Sequence, residues 1–140
     1  MNCFCANTRR AARSLTRLYE EHLRPSGLTP PQFGLLSLLA TRPGIAQTKL
    51  AEAFDLDQTT LSRNLKLLIS NKWVKRTRSP LDGRQSAYTI TPAGLERRQA
   101  ALPHWQRAQS QMRQALGADF EAVLALVQRV SIAAVGLSSN

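Results

Sequence analysis

The chain has 140 residues, of which 43% are hydrophobic and 20% charged, enough for one globular core and too apolar for wholesale disorder. Nineteen basic against nine acidic residues leave a net charge of +10, which points to a polyanionic partner. No run approaches about 18 uninterrupted apolar residues, the N-terminus lacks the order of a secretion signal, and two cysteines make no disulfide framework; a cytoplasmic protein without a membrane-spanning helix is expected.

Residues 8–24 read as a helix, because Ala11, Leu15, Leu18, Tyr19 and His22 form one stripe at a period of 3.6. Asn7 or Thr8 is its expected cap, and Pro25-Ser26-Gly27 ends it. A second helix is predicted over 30–40, with Thr29 as N-cap and Pro30 at the first position. Phe33, Leu35, Leu36, Leu38 and Leu39 make it apolar nearly all round, hence buried. After a turn at 41–44, a short helix over 48–54 turns Leu50, Ala51 and Phe54 to one face, and Asp55-Leu56-Asp57 breaks it. The next helix, 58–71, is capped by Asp57 or Gln58. It points Leu61, Leu65, Leu68 and Ile69 inward and Thr59, Thr60, Ser62, Arg63, Lys66 and Ser70 outward. Asn71 is expected to take a left-handed end, with Lys72 suited to the helix dipole.

The period then changes. Residues 73–79 and 85–90 are β-prone, and the Asp82-Gly83 signal between them predicts a hairpin turn. Thr91 caps a further helix with Pro92 at its start, Pro103 predicts a kink or break, and Gly117-Ala118-Asp119 interrupts the chain. A last helix carries Phe120, Val123, Leu124, Val127, Val130 and Ala134 at threes and fours. The fold class is mainly α with a small β-hairpin.

Charge is unevenly placed. Residues 58–91 hold Arg63, Lys66, Lys72, Lys75, Arg76, Arg78 and Arg84 against Asp82 alone, so a quarter of the chain carries more than half of the excess. A solvated basic face is the plainer reading, although a merely solubilising charge is spread more evenly. Helix, short helix, sharp turn, helix and basic hairpin are the order that winged-helix DNA binding requires. The outward face of 58–71 bears the short polar and basic side chains that reach base edges and phosphates in a major groove. Arg84 at the hairpin tip suits a narrow minor groove, and Asp82 is expected to orient it through a bidentate pair. Asp82-Gly83 reads equally well as a good turn and nothing more. Thr48, Gln58 and Arg78 complete the candidate DNA-binding set.

Leu50-Ala51-Glu52-Ala53-Phe54, the run Gln58 to Leu68, Trp73-Val74-Lys75-Arg76, Asp82-Gly83-Arg84 and Thr89-Ile90-Thr91-Pro92-Ala93-Gly94 together resemble the MarR family of bacterial transcriptional regulators. The resemblance covers about residues 8 to 135 and implies a two-fold dimer with intertwined first and last helices. It places Thr59, Thr60, Ser62, Arg63 and Lys66 on the recognition helix, Arg84 in the minor groove and Asp82 as its orienting acid. Gln85 stands where the family often has an acid, leaving the wing more cationic, and Ile90 where Leu is usual. The expected organisation is a single MarR-type domain over 1–140, with a winged-helix DNA-binding lobe at 30–91 and dimerisation helices at 8–25 and 92–137. The end helices also suit packing on each other within one chain.

Cys3 and Cys5 read as an incidental pair at a terminus, as a redox or thiol-reactive switch, or as a site for Cu(I) or Zn(II) shared across a dimer. His22 and His104 lack metal-ligand spacing and read as packing residues. No catalytic constellation stands out, so an enzyme is not expected, and no cofactor is required. The expected function is a dimeric repressor that binds a pseudo-palindromic operator in double-stranded DNA, in a bacterial cytoplasm and at the nucleoid when bound. By resemblance it is released by a small aromatic effector, thiol oxidation or a thiophilic metal. Tyr19, His22, Phe33 and Trp105 are candidate effector-lining residues. The alternative is a winged helix whose basic face docks an acidic protein.

Overall fold

The computed structural model describes residues 2–54 and 57–139. In chain order they form α1 (Phe4–Leu23), a 3-10 turn at Arg24–Ser26, α2 (Pro30–Thr41), β1 (Ile45–Ala46), α3 (Gln47–Phe54), α4 (Gln58–Ser70), β2 (Val74–Arg78), β3 (Ser86–Ile90), α5 (Pro92–Leu116), a second 3-10 turn at Gly117–Asp119 and α6 (Phe120–Ser138). Two compact units divide the chain, Met1–Trp105 and Gln106–Asn140.

In the first unit, α1 starts a turn earlier than its apolar stripe predicts. Cys3 is the N-cap, in extended backbone and without a side-chain cap bond. Asn7 and Thr8 lie inside the helix instead: Asn7 Nδ2 donates to the Cys3 carbonyl at 2.9 Å and Thr8 Oγ1 to the Phe4 carbonyl at 2.8 Å. Such back-bonding competes with capping, and nothing in Phe4-Cys5-Ala6 stops the helix. Thr29 caps α2 as expected, and Gln32 closes a reciprocal box: the Thr29 N–H donates to Gln32 Oε1 at 3.1 Å, and the Gln32 N–H to Thr29 Oγ1 at 3.4 Å. Phe33, Leu35, Leu36 and Leu39 of α2 are buried, so its all-round apolar sequence is used as predicted.

α4 contributes Leu61, Leu65 and Leu68 to the same core, which also takes Leu23, Leu50, Val74 and Tyr88. Its C-terminus departs from expectation. Asn71 keeps right-handed backbone, and Lys72 takes the left-handed conformation at φ 61°. The Lys72 carbonyl then receives the Thr91 hydroxyl at 2.7 Å, and the Trp73 carbonyl receives the Thr91 N–H at 2.9 Å. Thr91 Oγ1 also accepts from the Gly94 N–H at 3.1 Å, as the cap of α5. A side chain at Gly94 would collide with the Trp73 carbonyl, so the Thr-Pro-Ala-Gly run is the clip that brings α5 against the end of α4.

The sheet has three antiparallel strands in the order β1-β3-β2. β2 and β3 pair from Val74 opposite Ile90 to Arg78 opposite Ser86. β1 pairs Ile45 with Tyr88 and Ala46 with Ala87. Two residues are too few to show a strand period, and β1 was not expected. The hairpin tip is a wider loop than Asp82-Gly83 predicts: the Ser79 N–H meets the Gln85 carbonyl at 2.8 Å, and Gly83 does not adopt positive φ. α5 is continuous through Pro103 and is not broken there.

In the second unit, Gly117 turns the chain at φ 56°. The Arg113 guanidinium lies 4.3 Å from the centroid of the Phe120 ring and pairs with Glu121 at 2.7 Å. α6 buries Phe120 and leaves Ile132 and Leu137 73% and 80% exposed. Within the helical stretch Pro92–Ser138, an 18-residue window has mean hydropathy 1.7 and is 6% buried. By length and composition alone this stretch is sufficient to cross a membrane, against the expectation, because α6 has only two charged residues, Glu121 and Arg129, and few other polar ones.

Candidate nucleic-acid interface

α3 and α4 form the helix pair in front of the sheet; residues 55 and 56 of the break between them lie outside the described residues. Asp57 fixes the start of α4. Its Oδ1 accepts the Thr60 N–H at 2.7 Å and its Oδ2 the Thr60 hydroxyl at 2.9 Å. These bonds, with weaker help from the Thr59 N–H and the Arg63 charge, hold the Asp57 carboxyl below its ordinary 3.8. Thr60, expected among the base-reading residues, is therefore half-buried and engaged in the cap, whereas Gln58, Thr59, Ser62, Arg63 and Lys66 stand exposed.

Beside α4 lies a groove of about 500 Å³. Thr59, Ser62, Arg63 and Lys66 line its helix side, and Gln47, Arg76 and Tyr88 its sheet side. The Tyr88 hydroxyl donates to Gln47 Oε1 at 3.0 Å, which ties β3 to the start of α3. Thr48 is exposed, and its hydroxyl lies 3.5 Å from Gln85 Oε1 in the wing. Gln47 and Tyr88 escaped the sequence reading, and Arg76 was counted in the basic run but not placed in the candidate DNA-binding set. Strand alternation already puts Arg76 on one face with Val74, but only the β2–β3 register sets it opposite Tyr88.

A second hollow, of about 510 Å³, is lined by Arg76, Arg78, Arg84 and their neighbours in the wing. Asp82 does not form the expected bidentate pair with Arg84. Its Oδ1 accepts the Arg84 backbone N–H at 3.0 Å, the turn that an Asx residue makes two positions on, and no ion pair joins the two side chains. The Gln85 N–H to Asp82 carbonyl bond, 3.0 Å, tightens the same turn. Asp82 shapes the loop, and the Arg84 side chain is left exposed.

A third cavity, about 330 Å³, is lined by Tyr19, Phe33 and Trp105 together with Ser37, Arg98 and Leu102. The Phe33 and Trp105 rings stack with centroids 5.9 Å apart, and Arg98 Nε donates to Ser37 Oγ at 3.1 Å. Burial raises the Tyr19 phenol above its ordinary 10.0. His22, expected with these residues, is not among those lining the cavity. Cys3 and Cys5 are free thiols at the start of α1, and no group of three or more His, Cys, Asp or Glu among the described residues is arranged to hold a metal.

Comparison with known proteins agrees with this architecture. The MarR family model matches residues 26–85. A proposed regulator of the hcr operon of Thauera aromatica is 33% identical over 70 residues, which is 50% of this chain but 42% of that protein's length. The transcriptional regulator MosR of M. tuberculosis, in complex with DNA, is 32% identical, with a TM-score of 0.87 over 97% of this chain and 98% of that one. The PcaV regulator of Streptomyces coelicolor, bound to its natural ligand, is 27% identical, with a TM-score of 0.85 over 95% and 94%. These relatives are transcriptional regulators, not enzymes. With the helix pair, cationic wing and Thr-Pro-Ala-Gly clip all in place, the chain belongs to the MarR family of DNA-binding transcriptional regulators.

Proposed function

We propose that this chain is a homodimeric repressor that reads a pseudo-palindromic operator, with α4 in the major groove and the wing in the adjacent minor groove. The observation that carries this reading is the continuous cationic surface from Arg63 and Lys66 through Arg76 to Arg78 and Arg84, backed by short hydroxyl side chains on α4. Gln58, Thr59, Ser62 and Arg63 take the base edges, Lys66, Thr48 and Arg78 the backbone, and Arg84 the minor groove. Thr60 and Asp82 act indirectly, one through the α4 cap and one through the wing turn. The exposed apolar row of α6 supports a second copy as its cover, since isolated helices rarely leave such a row in water. Selection from a random duplex pool, footprinting and sedimentation test the reading together. Two protected half-sites about 34–36 Å apart and a dimer at micromolar concentration are expected. A monomer, or binding that ignores salt, overturns it.

The aromatic cavity supports control by a small effector. Two stacked rings, a neutral phenol and the half-buried Arg98 match a flat aromatic compound bearing an anionic group. Binding quenches Trp105 fluorescence and releases DNA in this reading, and both effects are absent in Phe33→Ala. Cys3 and Cys5 supply a further input, in which peroxide oxidises both thiols to one disulfide with loss of two waters and so alters the start of α1. A Cys3→Ser, Cys5→Ser double variant whose DNA binding still responds to peroxide removes the cysteines from the mechanism, as does a wild type that ignores it.

A further inference from the structure

The groove beside α4 and the hollow under the wing have one lining residue in common among those described, Arg76. A duplex presents the same relief in negative. A helix in its major groove and a loop in the neighbouring minor groove must straddle the sugar–phosphate strand that separates them. The geometry points to Arg76 as the clamp on that strand, a phosphate contact that fixes the spacing between the reading helix and the wing. This inference rests on the DNA-binding reading above and extends it to a residue outside the candidate DNA-binding set drawn from the sequence.

Three observations carry it. Arg76 sits in mid-strand, opposite Tyr88 in a five-residue ladder, so its backbone is held by the sheet, unlike the wing tip. Its Nε donates to Ser86 Oγ at 2.8 Å, which orients the guanidinium and leaves the terminal nitrogens to take a phosphate oxygen. Among the described residues no carboxylate lines either hollow, and the neighbouring charges are Arg63 and Lys66 on one side and Arg78 and Arg84 on the other. Such a cluster of like charges is favourable only when an anion lies between them. Because Arg76 lies neither on α4 nor at the wing tip but in mid-strand between them, it supplies affinity without sequence preference.

The test begins with the full chain and a duplex it selects from a random pool. If no duplex is retained, the DNA-binding reading fails before Arg76 is at issue. With a duplex in hand, Arg76→Ala is compared with wild type on the selected and a shuffled sequence over a range of salt. Roughly tenfold or greater weakening on both is expected, with the slope of log affinity against log salt shallower by about 0.9 for each copy bound. Ser86→Ala keeps the slope and loses a smaller factor, and Arg76→Lys keeps the slope because it keeps the charge. Neutral methylphosphonates placed one at a time between the helix-protected and wing-protected bases locate the contact. One position per half-site weakens wild type and leaves Arg76→Ala unchanged. An unchanged slope, a loss confined to the selected duplex, or equal methylphosphonate penalties in both proteins overturns the assignment. If Arg76→Ala does not fold, the decision falls to Arg76→Lys and the methylphosphonate series on wild type. Absence of any sensitive phosphate between the two footprints then defeats the clamp.

Discussion

α4 and α6 carry the same kind of apolar spacing and meet opposite fates. In α4, Leu61, Leu65 and Leu68 are each at most 2% exposed, and the remaining face is polar and basic apart from Leu67, which is 46% exposed. In α6, Leu124, Leu126, Val127, Ile132, Val135 and Leu137 are all exposed, and Phe120 alone is buried. A helix period shows which residues want cover, and the surrounding chain decides whether they find it. The lobe around α4 buries most of its own apolar pattern, whereas most of the apolar row of α6 stays exposed.

The largest expected effects lie in α4. Leu61→Ala removes a side chain with no exposure and is expected to cost about 2–5 kcal/mol in urea or thermal unfolding. If the loss is below about 1 kcal/mol, the lobe is not the self-sufficient half of the comparison. Gly94→Ala follows, because the added methyl meets the Trp73 carbonyl in a backbone clip that has little room to give. A loss of about 1–3 kcal/mol is expected, with the unfolding midpoint as the measurement. Ile132→Glu sharpens the other side. In a single chain the position is already in water, so the lobe's unfolding is expected to shift by less than about 0.5 kcal/mol while sedimentation reports loss of the dimer. A variant that stays dimeric removes this face of α6 from the interface.

These contrasts also mark what the residues alone made legible. α2, α4 and the wing strands were readable because each repeats a period over several turns or alternations, and the Thr91-Pro92 cap because its chemistry is local. β1 was not, because a two-residue strand exists only through its pairing with Tyr88 and Ala87. Lys72 took the left-handed position expected of Asn71 because the chain must deliver its carbonyl to Thr91, a partner 19 residues away. The candidate interface divides in the same way. The exposed face of α4 followed from helix geometry, whereas the place of Arg76 between two hollows needed the sheet register. Asp82 was found as a special residue and assigned the wrong partner: at two residues' separation its carboxylate reaches the Arg84 N–H and not the guanidinium. His22 shares a helix stripe with Tyr19 yet does not line the cavity, since a stripe is wider than a pocket wall.

The smallest expected effect separates the start of α4 from the rest of the lobe by pH. Asp57 bonds Thr60 in its ionised form, which keeps its folded pKa below the ordinary 3.8. The stabilisation is therefore fully present above that ordinary value and is lost as pH falls through the lower, folded one. Asp57→Asn keeps a capping oxygen without the titration. Unfolding midpoints measured between about pH 2 and pH 5 are expected to fall more steeply with acid in wild type than in Asp57→Asn, and to run parallel above this range. The effect is small because the carboxylate is exposed to water, which screens its interactions and leaves the hydrogen bonds as the main contribution. Curves that run parallel down to the lowest pH would show that the Asp57 cap works as well neutral as charged. The start of α4 would then be held by hydrogen bonds that need no charge, and acid would not distinguish it from the rest of the lobe.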